Sequence, residues 1–195
     1  MKVTLREVLI PILIVLIIFA GMRFSLKGFW INGPCMEPNF LTGQDWLVNK
    51  LPYHFHDPRR GEVIVLHAPN AEGTLLIKRV IGLPGETIEI RDGKVYITKD
   101  GEQMVLKESA YVATPSYQMR SVTVPPGEYF VLGDNRNNSG DSHSGWWTST
   151  GVFTQTVPRK NIVGKAWLCY WPPSEWRLCP SYSWELSPSD SATVE

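Results

Sequence analysis

The chain reads as a mainly β domain of antiparallel sheets standing behind one N-terminal transmembrane helix. Three observations predict this: a single uninterrupted apolar run near the N-terminus, a series of short β-branched or aromatic segments divided by turn residues, and no helical periodicity beyond residue 30. With 195 residues, 43% of them hydrophobic, there is material for one anchor and one domain of ordinary size but not for two large domains. The 19 basic and 19 acidic residues cancel, so no overall field draws nucleic acid, and none is expected as a partner. No segment repeats at a fixed period, and the scattered prolines and glycines suit strands joined by many turns.

From Val8 to Met22 every residue is apolar or tolerated in lipid, with Lys2 and Arg6 before the run and Arg23 and Lys27 after it. Fifteen residues at helical rise span roughly 22 Å, short of the ~30 Å hydrocarbon core, so Leu5, Phe24 and Leu26 are expected to extend the span while the flanking cations reach outward. A cleavable signal peptide is the rival reading, because the same run describes an apolar core behind a basic start. No small-residue cleavage pattern follows it, and the adjacent Phe29 and Trp30 suit a membrane interface, which favours a retained anchor. Basic residues on both flanks leave the orientation undecided, and Pro11 is tolerable near the start of the span.

Strands are expected at 46–49, 63–67, 74–80, 87–90, 94–98, 121–124, 129–132 and 162–167. Asp92-Gly93 between the fourth and fifth of these is a hairpin signal, since that dipeptide accepts positive φ. The predicted organisation is residues 1–27 as N-terminal start and anchor, 28–181 as the folded domain with an excursion at 99–120, and 182–195 as a serine-rich disordered tail.

Three constellations can carry chemistry. In Asn32-Gly33-Pro34-Cys35-Met36-Glu37-Pro38 a thiol sits in a Gly/Pro-framed turn, which can present a side chain and its own amide together. The plainer alternative is an inert, buried cysteine. Lys78 ends the apolar run Leu75-Leu76-Ile77, where burial disfavours charge and so favours a general base; a lysine on an edge strand with its head in water is the alternative. The polar loop from Gly133 to Ser142 follows an apolar strand and must satisfy itself internally. It lacks the terminal glutamate of a calcium-binding loop, and no metal is expected there.

In this order, GPCMEPNF (33–40), RGEVIVLHAP (60–69), KRVIGLPGE (78–86) and GDNRNNSGDS (133–142) resemble the four ordered motifs of the type I (leader) signal peptidases, again behind a membrane span. The resemblance implies a single-pass enzyme of the cytoplasmic membrane, with its catalytic domain on the extracytoplasmic side. It implies a mostly β endopeptidase with a Ser/Lys dyad and no cofactor, which removes signal peptides from exported preproteins after small residues. The expected partners are preprotein signal peptides and the lipid bilayer. Carried over by position, Cys35 falls on the nucleophilic serine and Lys78 on the general base. Met36 follows the nucleophile, Arg79 would pair with an acid of the polar loop such as Asp134, Ser139 resembles the hydroxyl that orients the lysine, and Arg136 and Asp141 resemble residues that hold the loop. Gly33 stands where some members carry an oxyanion-stabilising serine, so the hole here would rest on backbone amides, chiefly that of Cys35.

Two positions depart from the family pattern: cysteine replaces the serine, and His143 stands where an arginine usually closes the loop. A thiol is the better nucleophile and could form a thiolate–ammonium pair with lysine, but a thiolate also leaves more easily from a tetrahedral intermediate. Reduced activity is thus expected, and a pseudo-peptidase that binds signal peptides or membrane partners without cutting them is the second reading. Cys169 and Cys179 enclose a short aromatic segment and could form a disulfide, leaving Cys35 free, or could both stay unpaired. Trp167, Trp171, Trp176 and Trp184 could touch the lipid interface or cover an edge of the core.

Overall fold

The computed structural model describes residues 5–71, 73–108, 112, 114–180 and 185–188. Helix α1 (Leu5–Ser25) runs directly into strand β1 (Leu26–Trp30), followed by β2 (Asp45–Asn49), β3 (Val63–His67), β4 (Leu75–Gly82), β5 (Thr87–Arg91), β6 (Lys94–Lys99) and β7 (Glu102–Lys107). The chain continues through β8 (Met119–Thr123), β9 (Glu128–Leu132), the short β10 (Trp146–Trp147), β11 (Phe153–Thr154) and β12 (Val157–Pro158), then β13 (Ile162–Trp171), β14 (Arg177–Leu178) and β15 (Glu185–Pro188).

The strands form two main antiparallel sheets and a small hairpin. The larger sheet has the order β1-β2-β13-β3-β4-β9-β12, with β14 beside β13; the second has the order β15-β7-β6-β5-β8; β10 and β11 pair alone. The expected turn between β5 and β6 is present: Arg91 faces Lys94 across Asp92 (φ 50°) and Gly93 (φ 69°), the conformation that Asp-Gly accepts most readily.

Why β3 and β4 read as nearly continuous apolar runs is clear from their position inside the larger sheet. Val63 and Val65 pack into one buried cluster with Met36, Phe40, Trp46 and Ile77, while Ile64 and Leu66 pack into another with Val80, Tyr129 and Val131. Each strand is buried on both faces, so alternation with polar residues is lost. A third cluster, built on Ile81, Ile88, Ile97, Phe130 and Leu132, joins the two sheets where β4 passes into the second one.

Helix α1 carries its apolar residues on all sides and is exposed along its described length, so nothing in the domain covers it. Its segment Val8–Ser25 has a mean hydropathy of 2.5 and is long and apolar enough to cross a membrane. The helix continues through Pro11, more than a turn in from Leu5.

Several expectations need correction. Leu26 and Lys27 belong to β1, which pairs with β2 from Leu26↔Asn49 onward, so the domain takes up the chain where the charged flank ends the apolar run. The 99–120 excursion supplies a regular strand, β7, and the start of β8. Part of the tail expected to be disordered is a strand: Glu185–Pro188 pairs with Met104–Lys107, and Leu186 packs on the cluster around Leu106. That pairing depends on a distant edge strand, which local composition does not reveal. Of the neighbouring aromatics, Phe29 enters the core while Trp30 points outward. Trp167, Trp171 and Trp176 are exposed, and Trp184 lies outside the described residues.

All three cysteines are free thiols, so the possible Cys169–Cys179 bridge is absent. Cys169 stands across from Arg177, and the Cys179 amide donates instead to the Trp167 carbonyl at 2.7 Å. The two cysteines are therefore diagonal rather than opposed, and diagonal sheet neighbours lie about 7–8 Å apart at Cα, beyond the usual span of a disulfide. Thiol titration of the denatured, unreduced protein is expected to give three equivalents; one equivalent would show that the bridge forms.

Candidate active site

The turn carrying Cys35 fills a gap beside β4. Strand β4 pairs with β3 along Leu75–Arg79, but with β9 only from Arg79 onward, so Leu75–Lys78 have a strand neighbour on one side alone. On the open side the Cys35 thiol, half-buried, points at the Ile77 carbonyl at 3.8 Å, beside Lys78. Lys78 is 1% exposed and has no hydrogen-bond or ion-pair partner among the described residues. A buried polar side chain without a partner is uncommon in a purely structural position.

The turn is built for presentation. Gly33 sits at φ 110°, where a side chain would strain the backbone, so a serine is disfavoured at this point of this loop. The Glu37 amide closes on the Pro34 carbonyl at 3.1 Å and Phe40 on Met36 at 3.0 Å, while Met36 and Phe40 are fully buried and anchor the turn from below. The Cys35 amide has no acceptor among the described residues, which leaves it available to an oxyanion.

The loop after β9 grips this turn from the other side. The Asn135 amide donates to the Cys35 carbonyl and its side chain to the Pro34 carbonyl, both at 3.1 Å, and the Asp134 amide meets the Met36 sulfur at 3.4 Å. Asp134 binds Arg79 through two parallel bonds of 2.7 and 2.5 Å, with both side chains wholly buried, and accepts a further bond of 2.8 Å from Asn39. Arg79 also donates to the Gly61 carbonyl at 2.8 Å. The residue next to Lys78 is thus bolted to the loop and, through Asn39, to the turn that carries Cys35.

Ser139 lies over Gly133. A β-carbon on Gly133 would stand 2.3 Å from the Ser139 Oγ and 2.4 Å from the Cys35 carbonyl, so only glycine permits this approach. The β4–β9 register, extended by one residue, sets Gly133 abreast of Lys78. The buried Ser139 Oγ has no partner among the described residues. Asp141 accepts from the Gly133 amide at 2.8 Å and from His143 Nδ1 at 2.7 Å, and Arg136 donates to the Gly133 carbonyl at 3.0 Å.

All the residues singled out from the motifs, Gly33, Cys35, Met36, Lys78, Arg79, Asp134, Arg136, Ser139 and Asp141, therefore gather around the meeting of one turn, one strand and one loop. Sequence reading missed Asn39, Asn135 and Glu108. The first two lie within the quoted motif segments or beside their key residues, but their partners are carbonyl and carboxylate groups about 100 positions away. Glu108, which pairs with Arg136 at 2.5 Å, carries no local signal.

Fold and site together set a turn-borne thiol beside a buried amine. The sequence profile of the family described as "Signal peptidase, peptidase S26" matches residues 4–171. The chain is 37% identical over 183 residues to the probable signal peptidase I-1 of a Synechocystis strain, covering 89% of this chain and 87% of that protein. It is 39% identical over 160 residues to signal peptidase I of Leptolyngbya laminosa, covering 78% and 72%. A crystal structure of a signal peptidase I from Enterococcus faecalis V583 is 31% identical and covers 56% of this chain and 97% of its own, with a TM-score of 0.42. The chain belongs to the signal peptidase family of S26 peptidases and is a hydrolase.

Two substitutions test the geometry. Asp134→Ala removes the carboxylate from a buried pair and is expected to lower stability by about 3–5 kcal/mol in chemical denaturation. Gly133→Ala must displace the Cys35 carbonyl or Ser139, and is expected to cut peptidase turnover by roughly 100-fold, in keeping with misplacement of a reacting group by about 1 Å. Wild-type turnover in Gly133→Ala would show that the contact is not needed.

Proposed function

We propose that the protein is a membrane-bound endopeptidase that removes N-terminal signal peptides from exported preproteins, cleaving after small residues through Cys35 as nucleophile and Lys78 as proton carrier. The observation that carries this reading is the seating of the Cys35 thiol on the Ile77 carbonyl, beside the buried Lys78, with the Gly133–Ser142 loop closing over both. The substrate is inferred from the relatives, which are named as signal peptidases.

The half-open stretch Leu75–Lys78 offers main-chain groups to an extended peptide, which adds as a short strand and brings a small-residue carbonyl over the thiol. The Cys35 sulfur attacks that carbonyl carbon, and the oxyanion is met by the Cys35 amide. Lys78 takes the thiol proton and returns it to the departing amine as the C–N bond breaks, leaving a thioester. Lys78, which the unpartnered Ser139 hydroxyl is free to orient, then draws a proton from water; the hydroxyl of that water adds to the thioester carbonyl, and the proton passes to the Cys35 sulfur as the C–S bond breaks and the signal peptide leaves. Cys35, Gly33 and Ser139 serve the oxyanion and the lysine, while Met36, Arg79, Asp134, Arg136 and Asp141 hold them in register.

The reading places α1 in the cytoplasmic membrane and the domain on its extracytoplasmic side. Its support is the uncovered apolar helix leading without a linker into β1, together with the exposed Trp30, Trp167, Trp171 and Trp176 on or next to strands β1, β13 and β14. Aromatic side chains of this kind favour the headgroup region.

The test incubates the full-length protein in detergent with a preprotein. Cleavage is expected from wild type and Cys35→Ser, and loss by at least about 1,000-fold from Cys35→Ala and Lys78→Ala, as for removal of a nucleophile or its base. Cleavage that persists in Lys78→Ala would defeat the dyad. Silence of the wild type alongside activity of Cys35→Ser would mean that the natural chain binds signal peptides without cutting them.

A further inference from the structure

We propose that Tyr117 is a positioning residue for the peptidase reaction: Glu108, Thr114, Ser116 and Tyr117 brace the loop after β9, and Tyr117 acts through His143 and Asp141 on Gly133. The inference rests on the assignment of Cys35 as nucleophile, because Gly133 packs against the Cys35 carbonyl, to which the Asn135 amide of the same loop donates.

Gly133 is held at both of its backbone polar atoms. Its N–H donates to Asp141 Oδ2 at 2.8 Å, and its carbonyl accepts from Arg136 Nε at 3.0 Å. Each of these side chains is backed in turn by the second sheet's excursion. Glu108 pairs with the wholly buried Arg136 at 2.5 Å. The other carboxylate oxygen of Asp141 accepts from the His143 amide at 3.1 Å and from His143 Nδ1 at 2.7 Å, so that nitrogen carries a proton, since an ionised carboxylate can only accept. The His143 ring lies flat on Tyr117, with centroids 4.0 Å apart and planes 20° from parallel. Between these two supports the Asn137 side chain accepts from the Ser116 amide and hydroxyl, both at 2.8 Å, and donates to the Thr114 carbonyl at 3.0 Å. The loop is therefore fixed to the excursion at three successive places, Arg136, Asn137 and His143.

The ring of Tyr117, rather than its hydroxyl, does this work. The hydroxyl is buried and has no hydrogen-bond partner among the described residues, and burial, reinforced by the charge of Asp141, pushes its pKa up so that the phenol stays neutral. The stack fixes the plane of the imidazole, which is what aims Nδ1 at Asp141. An arginine in place of His143 could lie on the same ring and bond the same carboxylate, so one aromatic brace serves either residue.

The test measures preprotein cleavage by the full-length protein in detergent, together with amide hydrogen exchange of the 128–142 segment. Tyr117→Leu and His143→Leu are expected to lower kcat about tenfold with KM changed less than about twofold, the loss expected for one weakened charge-assisted hydrogen bond. Exchange should quicken across 131–135 while the β5–β6 hairpin keeps its protection. Tyr117→Phe, which keeps the stack, and His143→Arg, which keeps a donor to Asp141, should each recover most of the rate. The proposal is overturned if Tyr117→Leu cleaves at the wild-type rate, if protection falls evenly through the domain, or if Phe and Arg rescue nothing. Should the wild type cleave no preprotein, the proposed function fails while exchange still decides the brace: unchanged protection at 131–135 in Tyr117→Leu would end it.

Discussion

The buried pair between Arg79 and Asp134 is the constraint on which the rest of the site depends. It joins a strand residue adjacent to Lys78 to a loop residue adjacent to Gly133, and Asn39 ties the same carboxylate to the turn that carries Cys35. Two wholly buried charges are tolerable only when each is saturated with well-aligned partners. Arg79 has the Asp134 fork and the Gly61 carbonyl; Asp134 has Arg79 and Asn39. The pair serves registration as well as stability, because it adds a buried, directional link to the β4–β9 pairing and to the bonds from Asn135 to the turn.

Around that bolt the fold leaves one deliberate gap. Strand β9 departs from β4 after Leu132, and no strand takes its place; the Cys35 turn borders the space and touches the Ile77 carbonyl. The sheet thereby supplies both a rigid base for Lys78 and an incomplete edge beside it. Lys78 is buried in the strand, while the turn, held from below by Met36 and Phe40, keeps the thiol at the boundary between core and surface. Thiol and amine thus sit in different environments, the one half-buried and the other wholly buried.

How much of this was legible in the sequence follows from the range of the forces involved. Strands β3 to β6, β8 and β9 could be read because β-branched runs and glycine-bearing turns are local signals, and the Asp92-Gly93 hairpin is the clearest case, whereas β7 could not. The site residues could be named because the motifs that contain them are compact. Pairings across the chain could not be read. β15 is a strand only because β7 offers it an edge, Glu108 matters only because Arg136 is buried against it, and the Tyr117–His143 stack joins residues whose neighbours in sequence predict no contact. The diagonal offset of Cys169 and Cys179 was equally hidden, since spacing alone does not reveal register.

The central claim is that Cys35, presented by this turn against the Lys78 strand, forms the covalent intermediate. The most direct measurement is intact and peptide-level mass spectrometry of the full-length protein, acid-quenched during turnover of a preprotein. A signal-peptide adduct on Cys35 that hydroxylamine releases, as expected for a thioester, is the predicted result. Cleavage that proceeds with no adduct on Cys35, and that survives alkylation of Cys35, would contradict the account.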